Sequence, residues 1–271
     1  MSTASPTSTA PTTVTLPSGL VAHYWRQGTG DPVLYLRSMV VPAGDDAFLA
    51  RLAEGHDVIV PLFPGFASLD ELTELGNGHD LALYFDDLIR VLGIERLQLL
   101  GHSFGGFVAA EVAAHFPERI ASLALVAPFG LWSEDEPTPD LARYRPAKLF
   151  NILSTGGEQA DGADQTIDED DEEHIVAAVQ AMTATLKFLW PFPDRTLAQR
   201  LYRISSPTRI FWGLDDPINP VGYAARYAAA IHDAQVEILS GGHLLLQDQP
   251  EEMAERIGAF FSTERVGSQS K

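Results

Sequence analysis

Leu97-Gln98-Leu99-Leu100-Gly101-His102-Ser103-Phe104-Gly105-Gly106 is the stretch that decides the fold. An apolar run halts at Gly101, a serine follows almost at once, and a helix pattern of small residues begins near Phe104. That order reads as strand, sharp turn, helix, with one hydroxyl at the apex. The spacing Gly101-x-Ser103-x-Gly105 fits a nucleophile elbow. A turn this tight crowds its neighbours, and glycines on both sides of the serine relieve the crowding. The turn also sets Ser103 at a helix N-terminus, where free backbone N–H groups can hold a developing negative charge. Taken alone, five residues would suit a serine that merely caps a helix. The strand before and the helix after favour the chemical reading.

Strand and helix patterns alternate on both sides of this stretch. Val14 to Leu16 and Leu20 to Arg26 flank Pro17-Ser18-Gly19 as a starting hairpin. Pro32 to Leu36 and His56 to Leu62 read as strands, the first apolar enough to be buried on both faces, with a helix pattern over Asp45 to Ala53 between them. Leu81, Tyr84, Phe85, Leu88 and Leu92 recur at helical spacing over Asp80 to Leu92, and Gly93 stands just past the end. The elbow helix runs from Phe104 to about His115 and Pro117 ends it; Ala121 to Val126 is a further buried strand. The alternation then breaks at about Phe129 and resumes at Thr208 to Trp212. Asn219 to Ala230 and Pro250 to Phe261 read as helices, with a strand at Val236 to Leu239 between them. Alternation of this kind predicts an α/β fold, a mostly parallel twisted sheet with helices on both faces. Ligands in such sheets sit at the carboxyl ends of the strands, so the insertion over 129–207 reads as a helical cap above that edge, placed before the strand 208–212. Its acidic run, Glu158 to Glu173, lacks calcium-loop spacing and reads as a solvated loop leading into a helix at about Asp171.

Composition removes several function classes. The 271 residues are 45% hydrophobic, enough for one large domain with an inserted subdomain, here 14–128 and 208–262 around the cap. Eighteen Lys and Arg stand against 37 Asp and Glu, a formal charge of −19, which would repel nucleic acid and anionic lipid surfaces. No apolar run approaches the roughly 18 residues of a membrane span. There is no cysteine, hence no disulfide, thiolate metal site or cysteine nucleophile. Residues 1–13 are rich in Ser, Thr, Pro and Ala and read as a disordered tail, as do the loose residues 263–271. Without a basic region and apolar core the N-terminal stretch is no secretory signal, and a cytoplasmic location is the expectation. The sequence leaves the oligomeric state open.

A serine hydroxyl is a poor nucleophile at neutral pH and needs a base, which needs a group to fix its tautomer. Strand 208–212 runs into Gly213-Leu214-Asp215-Asp216-Pro217, and strand 236–239 into Ser240-Gly241-Gly242-His243. Those two loops would deliver an acid and a base to the edge that carries Ser103, in the chain order Ser, Asp, His. His243 is the candidate base. The other seven histidines read as surface or packing; His102, inside the elbow, should point away from the direction of Ser103. Asp215 and Asp216 compete for the acid role, since one of them suits an Asp-Pro turn.

These residues together resemble the α/β-hydrolase superfamily, specifically its cap-bearing, esterase-like serine hydrolases. The likeness spans about residues 14 to 262 and rests on Gly101 to Gly106, Trp212 to Pro217, Gly242-His243, His115-Phe116-Pro117-Glu118-Arg119-Ile120, and the helix opened by Pro250-Glu251. It implies Asp216 as the acid and the backbone N–H groups of Phe104 and Met39 as the oxyanion hole. It further implies no cofactor or metal, and a small-molecule carboxylic ester or lactone as substrate. One departure stands out: where the family usually has His-Gly after the strand 33–36, this chain has Arg37-Ser38. Two other readings share the frame, a carbon–carbon bond hydrolase and a receptor that retains the triad to sense a ligand. Leu244 stands where the former typically carries Trp, although Arg143 and Arg145 lie in the cap segment. Trp132 and Trp190 are the candidate substrate-binding residues, beside apolar Phe150, Leu153, Met182, Leu186, Phe188 and Leu189, most of which would simply pack the cap.

Overall fold

Alternation within single strands shows how the sheet is buried. In β3 (Asp31–Leu36), Val33 and Tyr35 enter one apolar cluster and Leu34 and Leu36 the other. A strand's side chains point alternately to opposite faces, so a run that is apolar at every position must be covered on both sides. The computed structural model, which describes residues 11–39, 46–145, 148–149, 152, 172–189 and 196–264, supplies both covers. Among the described residues β1 (Thr12–Thr15), β2 (Val21–Gln27), β3, β4 (His56–Pro61), β5 (Leu97–His102), β6 (Ile120–Val126), β7 (Thr208–Gly213) and β8 (Ala234–Leu239) form one sheet in the order β1-β2-β4-β3-β5-β6-β7-β8. The pairs from β4 through β8 are parallel, while β1 with β2 and β2 with β4 are antiparallel.

One face carries α1 (Asp46–Leu52), α6 (Leu245–Asp248) and α7 (Pro250–Thr263), which contribute Phe48, Leu245, Met253, Ile257 and Phe261 to its core. The other carries α2 (Gly78–Val91), α3 (Phe104–His115) and α5 (Gly222–Ala230), with Leu81, Phe85, Val108, Val112 and Tyr227 against the sheet. The helix α2 starts at Gly78, ahead of the expected Asp80, because Asn77 and Asp80 form a reciprocal capping box. Its end is as expected, with Gly93 at φ +71° in the left-handed region. β1 begins at Thr12, pairing with Tyr24, so it starts inside the stretch expected as tail.

Within the insertion, α4 (Glu172–Leu189) begins where the sequence places a helix start. Its Phe188 ring stacks 6.4 Å from that of Phe104, and Lys187 Nζ donates to the carbonyl of Leu72 at 2.6 Å. The stretch 197–203 returns to the main sheet through a salt bridge that composition did not reveal: Arg200 grips buried Glu111 of α3 with two hydrogen bonds, 3.0 and 2.6 Å. Residues 1–10 and 265–271 of the expected tails, 158–171 of the acidic run, and Phe150, Leu153 and Trp190 lie outside the described residues. No helix among the described residues is long and apolar enough to cross a membrane.

Candidate active site

Ser103 sits between β5 and α3 with φ 60° and ψ −119°, a conformation that costs a non-glycine residue free energy and persists where its surroundings over-determine it. The surroundings here are backbone. The N–H of Ser103 donates to the carbonyl of Val126 on β6 at 2.9 Å, and its carbonyl accepts from Gly106 and from Phe129. The flanking glycines are required by close approach. A Cβ on Gly105 would stand 2.0 Å from the carbonyl oxygen of Leu36, and one on Gly101 would stand 2.5 Å from Cβ of Ala109. The elbow is therefore pressed against the end of β3, which brings the Arg37-Ser38-Met39 loop beside it.

The loop after β7 carries the acid. Asp216 Oδ1 accepts from the N–H groups of Ile218 and Asn219 at 3.0 and 2.8 Å, so the carboxylate is built into its own turn. Asn219 fastens that turn by donating to the carbonyls of Ala127 and Pro128, and the Trp212 indole donates to the Asn219 carbonyl at 2.8 Å. Asp215 is exposed, and its backbone N–H donates to the carbonyl of Gly241. The turn next to β7 is also where the following loop must pass. A Cβ on Gly213 would lie 2.1 Å from the carbonyl oxygen of Gly242, so glycine is what lets the loop after β8 reach the site.

That loop ends in His243, which is fully buried. Its Nδ1 lies 2.7 Å from Asp216 Oδ2 and its Nε2 lies 2.8 Å from Ser103 Oγ. The carboxylate can only accept, so Nδ1 carries the proton and donates to Asp216. Nε2 is then the unprotonated nitrogen, accepting from the serine hydroxyl. The Phe129 ring lies 5.4 Å from the His243 ring and shields it. The N–H groups of Met39 and Phe104 donate to no protein acceptor among the described residues.

The structure thus brings Ser103, Asp216 and His243 into one hydrogen-bonded chain at the carboxyl edge of the sheet, with Phe104 next in sequence and Met39 at the adjoining strand end. Trp132 is half-buried at the start of the insertion. Four residues around this chain were given no part in the site from sequence. Asn219, Trp212 and Gly213 hold the two loops in place. His102 is fully buried, with Nε2 2.9 Å from the carbonyl of His243. Burial first, then the neighbouring His243 and Arg37, push the pKa of His102 down to about 3. The signal for Asn219 was local, an Asx turn three residues after Asp216. His102 had none, because its partner is distant in sequence. Among the described residues no group of three or more His, Asp or Glu could hold a metal ion.

Comparison with known proteins fits this geometry to a family. The model of the alpha/beta hydrolase family matches residues 18–256. A 2-hydroxy-6-oxo-6-phenylhexa-2,4-dienoate hydrolase of Comamonas testosteroni is 26% identical over 273 residues, covering 92% of this chain and 93% of the relative. Among solved structures, a meta-cleavage product hydrolase from Pseudomonas fluorescens IP01 superposes with a TM-score of 0.74 at 19% identity, covering 94% of this chain and 99% of that one. Naproxen esterase (carboxylesterase NP) from Bacillus subtilis does so with a TM-score of 0.72 at 20% identity, covering 93% and 90%.

Proposed function

The chain belongs to the alpha/beta hydrolase family, and from that premise we propose that it is a serine hydrolase cleaving a carboxylic ester or lactone through an acyl-enzyme. The observation that carries the reading is the unbroken chain Asp216 Oδ2, His243 Nδ1, His243 Nε2, Ser103 Oγ, with spacings of 2.7 and 2.8 Å at its two hydrogen bonds. In the proposed reaction Ser103 Oγ attacks the carbonyl carbon as its proton passes to His243 Nε2. Asp216, accepting from Nδ1–H, stabilises the imidazolium. The carbonyl oxygen becomes an oxyanion between the N–H groups of Met39 and Phe104, whose lack of an acceptor among the described residues supports that role. Collapse expels the alcohol, which takes the proton from His243. Water, deprotonated by the same nitrogen, then attacks the acyl-enzyme and releases the acid. In a lactone the leaving alcohol stays tethered to the acyl group. Residues 129–207 act as the cap, a reading supported by Phe188 of α4 lying on Phe104 beside the nucleophile.

A second reading, hydrolysis of a carbon–carbon bond, is favoured by the full-length likeness to the Comamonas testosteroni hydrolase. Against it, Leu244 follows His243 and is buried, and Arg143 and Arg145 are exposed to solvent rather than enclosed with the triad. A panel of p-nitrophenyl esters of rising chain length and small lactones, run beside 2-hydroxy-6-oxo-6-phenylhexa-2,4-dienoate, separates the two. We expect ester or lactone turnover that disappears in Ser103→Ala. A higher kcat/KM for the dienoate than for every ester and lactone would overturn the ester reading.

A further inference from the structure

The backbone that carries His243 is poorly held by its own loop. Two glycines precede the histidine, one of them, Gly241, at φ +124°, and glycine leaves the chain free to pivot. The loop's other ties lie before or after His243: Asp215 N–H reaches the carbonyl of Gly241, and the N–H groups of Gln247 and Asp248 reach that of Leu244. Among the described residues the backbone of His243 itself makes one hydrogen bond, from His102 Nε2 to its carbonyl at 2.9 Å. The two imidazole rings lie 5.6 Å apart, tilted by 34°, so the donor's ring adjoins that of the base.

The donor's place in the chain gives this bond its meaning. His102 is the last residue of β5 and the neighbour of Ser103. One side chain therefore ties the strand that carries the nucleophile to the loop that carries the base, at a sequence separation of 141. We propose that His102 is a positioning residue, whose Nε2–H fixes the carbonyl of His243 and thereby sets the distance from His243 Nε2 to Ser103 Oγ. The inference rests on the acyl-transfer reading given above and deepens it.

The chemistry of the residue suits the task. A carbonyl only accepts, so the bond requires a proton on Nε2 of His102, and a neutral ring then leaves Nδ1 bare. Nδ1 is buried and has no partner among the described residues, so no acceptor there calls for a proton on it. The groups facing the ring are His243 and Arg37, both of which oppose a second proton, and burial opposes it more strongly. His102 therefore stays a neutral donor at neutral pH and well below it, and its hold on the base does not vary there.

Misplacing a catalytic group by about 1 Å costs on the order of 10²-fold in rate. In His102→Leu, which keeps bulk and removes the donor, we expect fluorophosphonate labelling of Ser103 to slow by about 10- to 100-fold. The downfield proton resonance of His243 Nδ1–H against Asp216 should broaden or move. In His102→Gln, which returns an N–H at similar reach, both should recover. A loss of general packing would not be rescued by Gln over Leu, nor would it change that resonance in a folded protein. Wild-type labelling with an unchanged rate and resonance in folded His102→Leu would overturn the positioning role alone. Absence of labelling in the wild type would overturn the acyl-transfer reading and the role together. Nitrogen-15 spectra of histidine-labelled wild-type protein decide the matter even if the variants do not fold. The proposal requires His102 as the Nε2–H tautomer, and an Nδ1–H tautomer would refute it.

Discussion

Replacing Asp216 by Asn tests how the acid is mounted. In the native site Oδ1 is committed to two backbone donors, Ile218 and Asn219, and Oδ2 to His243 Nδ1 at 2.7 Å. Asparagine has one carbonyl oxygen and one NH2 group. If the oxygen stays with the turn, the NH2 points at His243. If the amide flips, its NH2 meets two buried N–H groups, and each unmade hydrogen bond costs about 1–3 kcal/mol, or ~2–6 kcal/mol for the pair. The first orientation therefore wins. A donor facing Nδ1 strips that nitrogen of its proton and moves it to Nε2, the atom that must accept from Ser103. The base is then in the wrong tautomer although every heavy atom is in place. The same exchange in a serine-protease triad lowers kcat by about 10⁴, and this site should lose a similar factor, about 5.5 kcal/mol of barrier. The assay is kcat on a p-nitrophenyl ester at neutral pH, with the melting temperature measured in parallel. A folded Asp216→Asn protein retaining activity within about tenfold of wild type would refute the tautomer argument.

Other positions give sharper tests of the scaffold. Gly213→Ala places a methyl 2.1 Å from the Gly242 carbonyl, so the His243 loop must move; overpacking of this kind costs about 1–3 kcal/mol, and fluorophosphonate labelling should fall far more than the melting temperature. Full labelling at an unchanged rate would show that the loop does not depend on that approach. Arg200→Ala removes two hydrogen bonds from the buried Glu111 carboxylate and leaves His115 Nδ1 3.5 Å from it; since the Arg200 side chain is 28% exposed, the cost belongs at the lower end of the range for a broken buried pair, about 3 kcal/mol by urea unfolding. A loss below about 1 kcal/mol would mean that the pair behaves as a surface bridge. His102 sets a pH dependence of stability. Its folded pKa, about 3, lies below the ordinary value of 6.5, so the unfolded chain binds the extra proton and stability falls as pH drops from about 6.5 towards 3. Between pH 6.5 and 5 the wild type should lose about 1.6 kcal/mol more than His102→Gln, and equal losses would place His102 in a solvated site.

The elbow was legible because its determinants are local. Gly101, Ser103 and Gly105 lie within five residues, and the strand and helix that flank them have clear patterns. The parallel sheet followed from the same alternation, and β5, α3 and β7 fall where the residues placed them. What sequence left open was decided by contacts between distant segments. Asp215 and Asp216 are equivalent as types, and the folded turn separates them: Asp216 Oδ1 accepts from the N–H groups of Ile218 and Asn219, while Asp215 is exposed. His102 was read as a residue pointing away from Ser103. It is fully buried and ends on the carbonyl of His243, the same residue whose ring meets Ser103, which no local pattern encodes. The short helix α6 escaped notice because its four residues are too few to show a helical period. Glu111 was hidden among the alanines of α3, since its partner Arg200 lies beyond the insertion.

The central claim is that Ser103 is a nucleophile activated by His243 and Asp216. Incubating the protein with a fluorophosphonate, then measuring intact mass and mapping the modified peptide, tests it directly. A single adduct on Ser103, absent from a Ser103→Ala variant with an unchanged melting temperature, is the predicted result. A folded wild type that takes no label, or a label that persists in Ser103→Ala, would contradict the account.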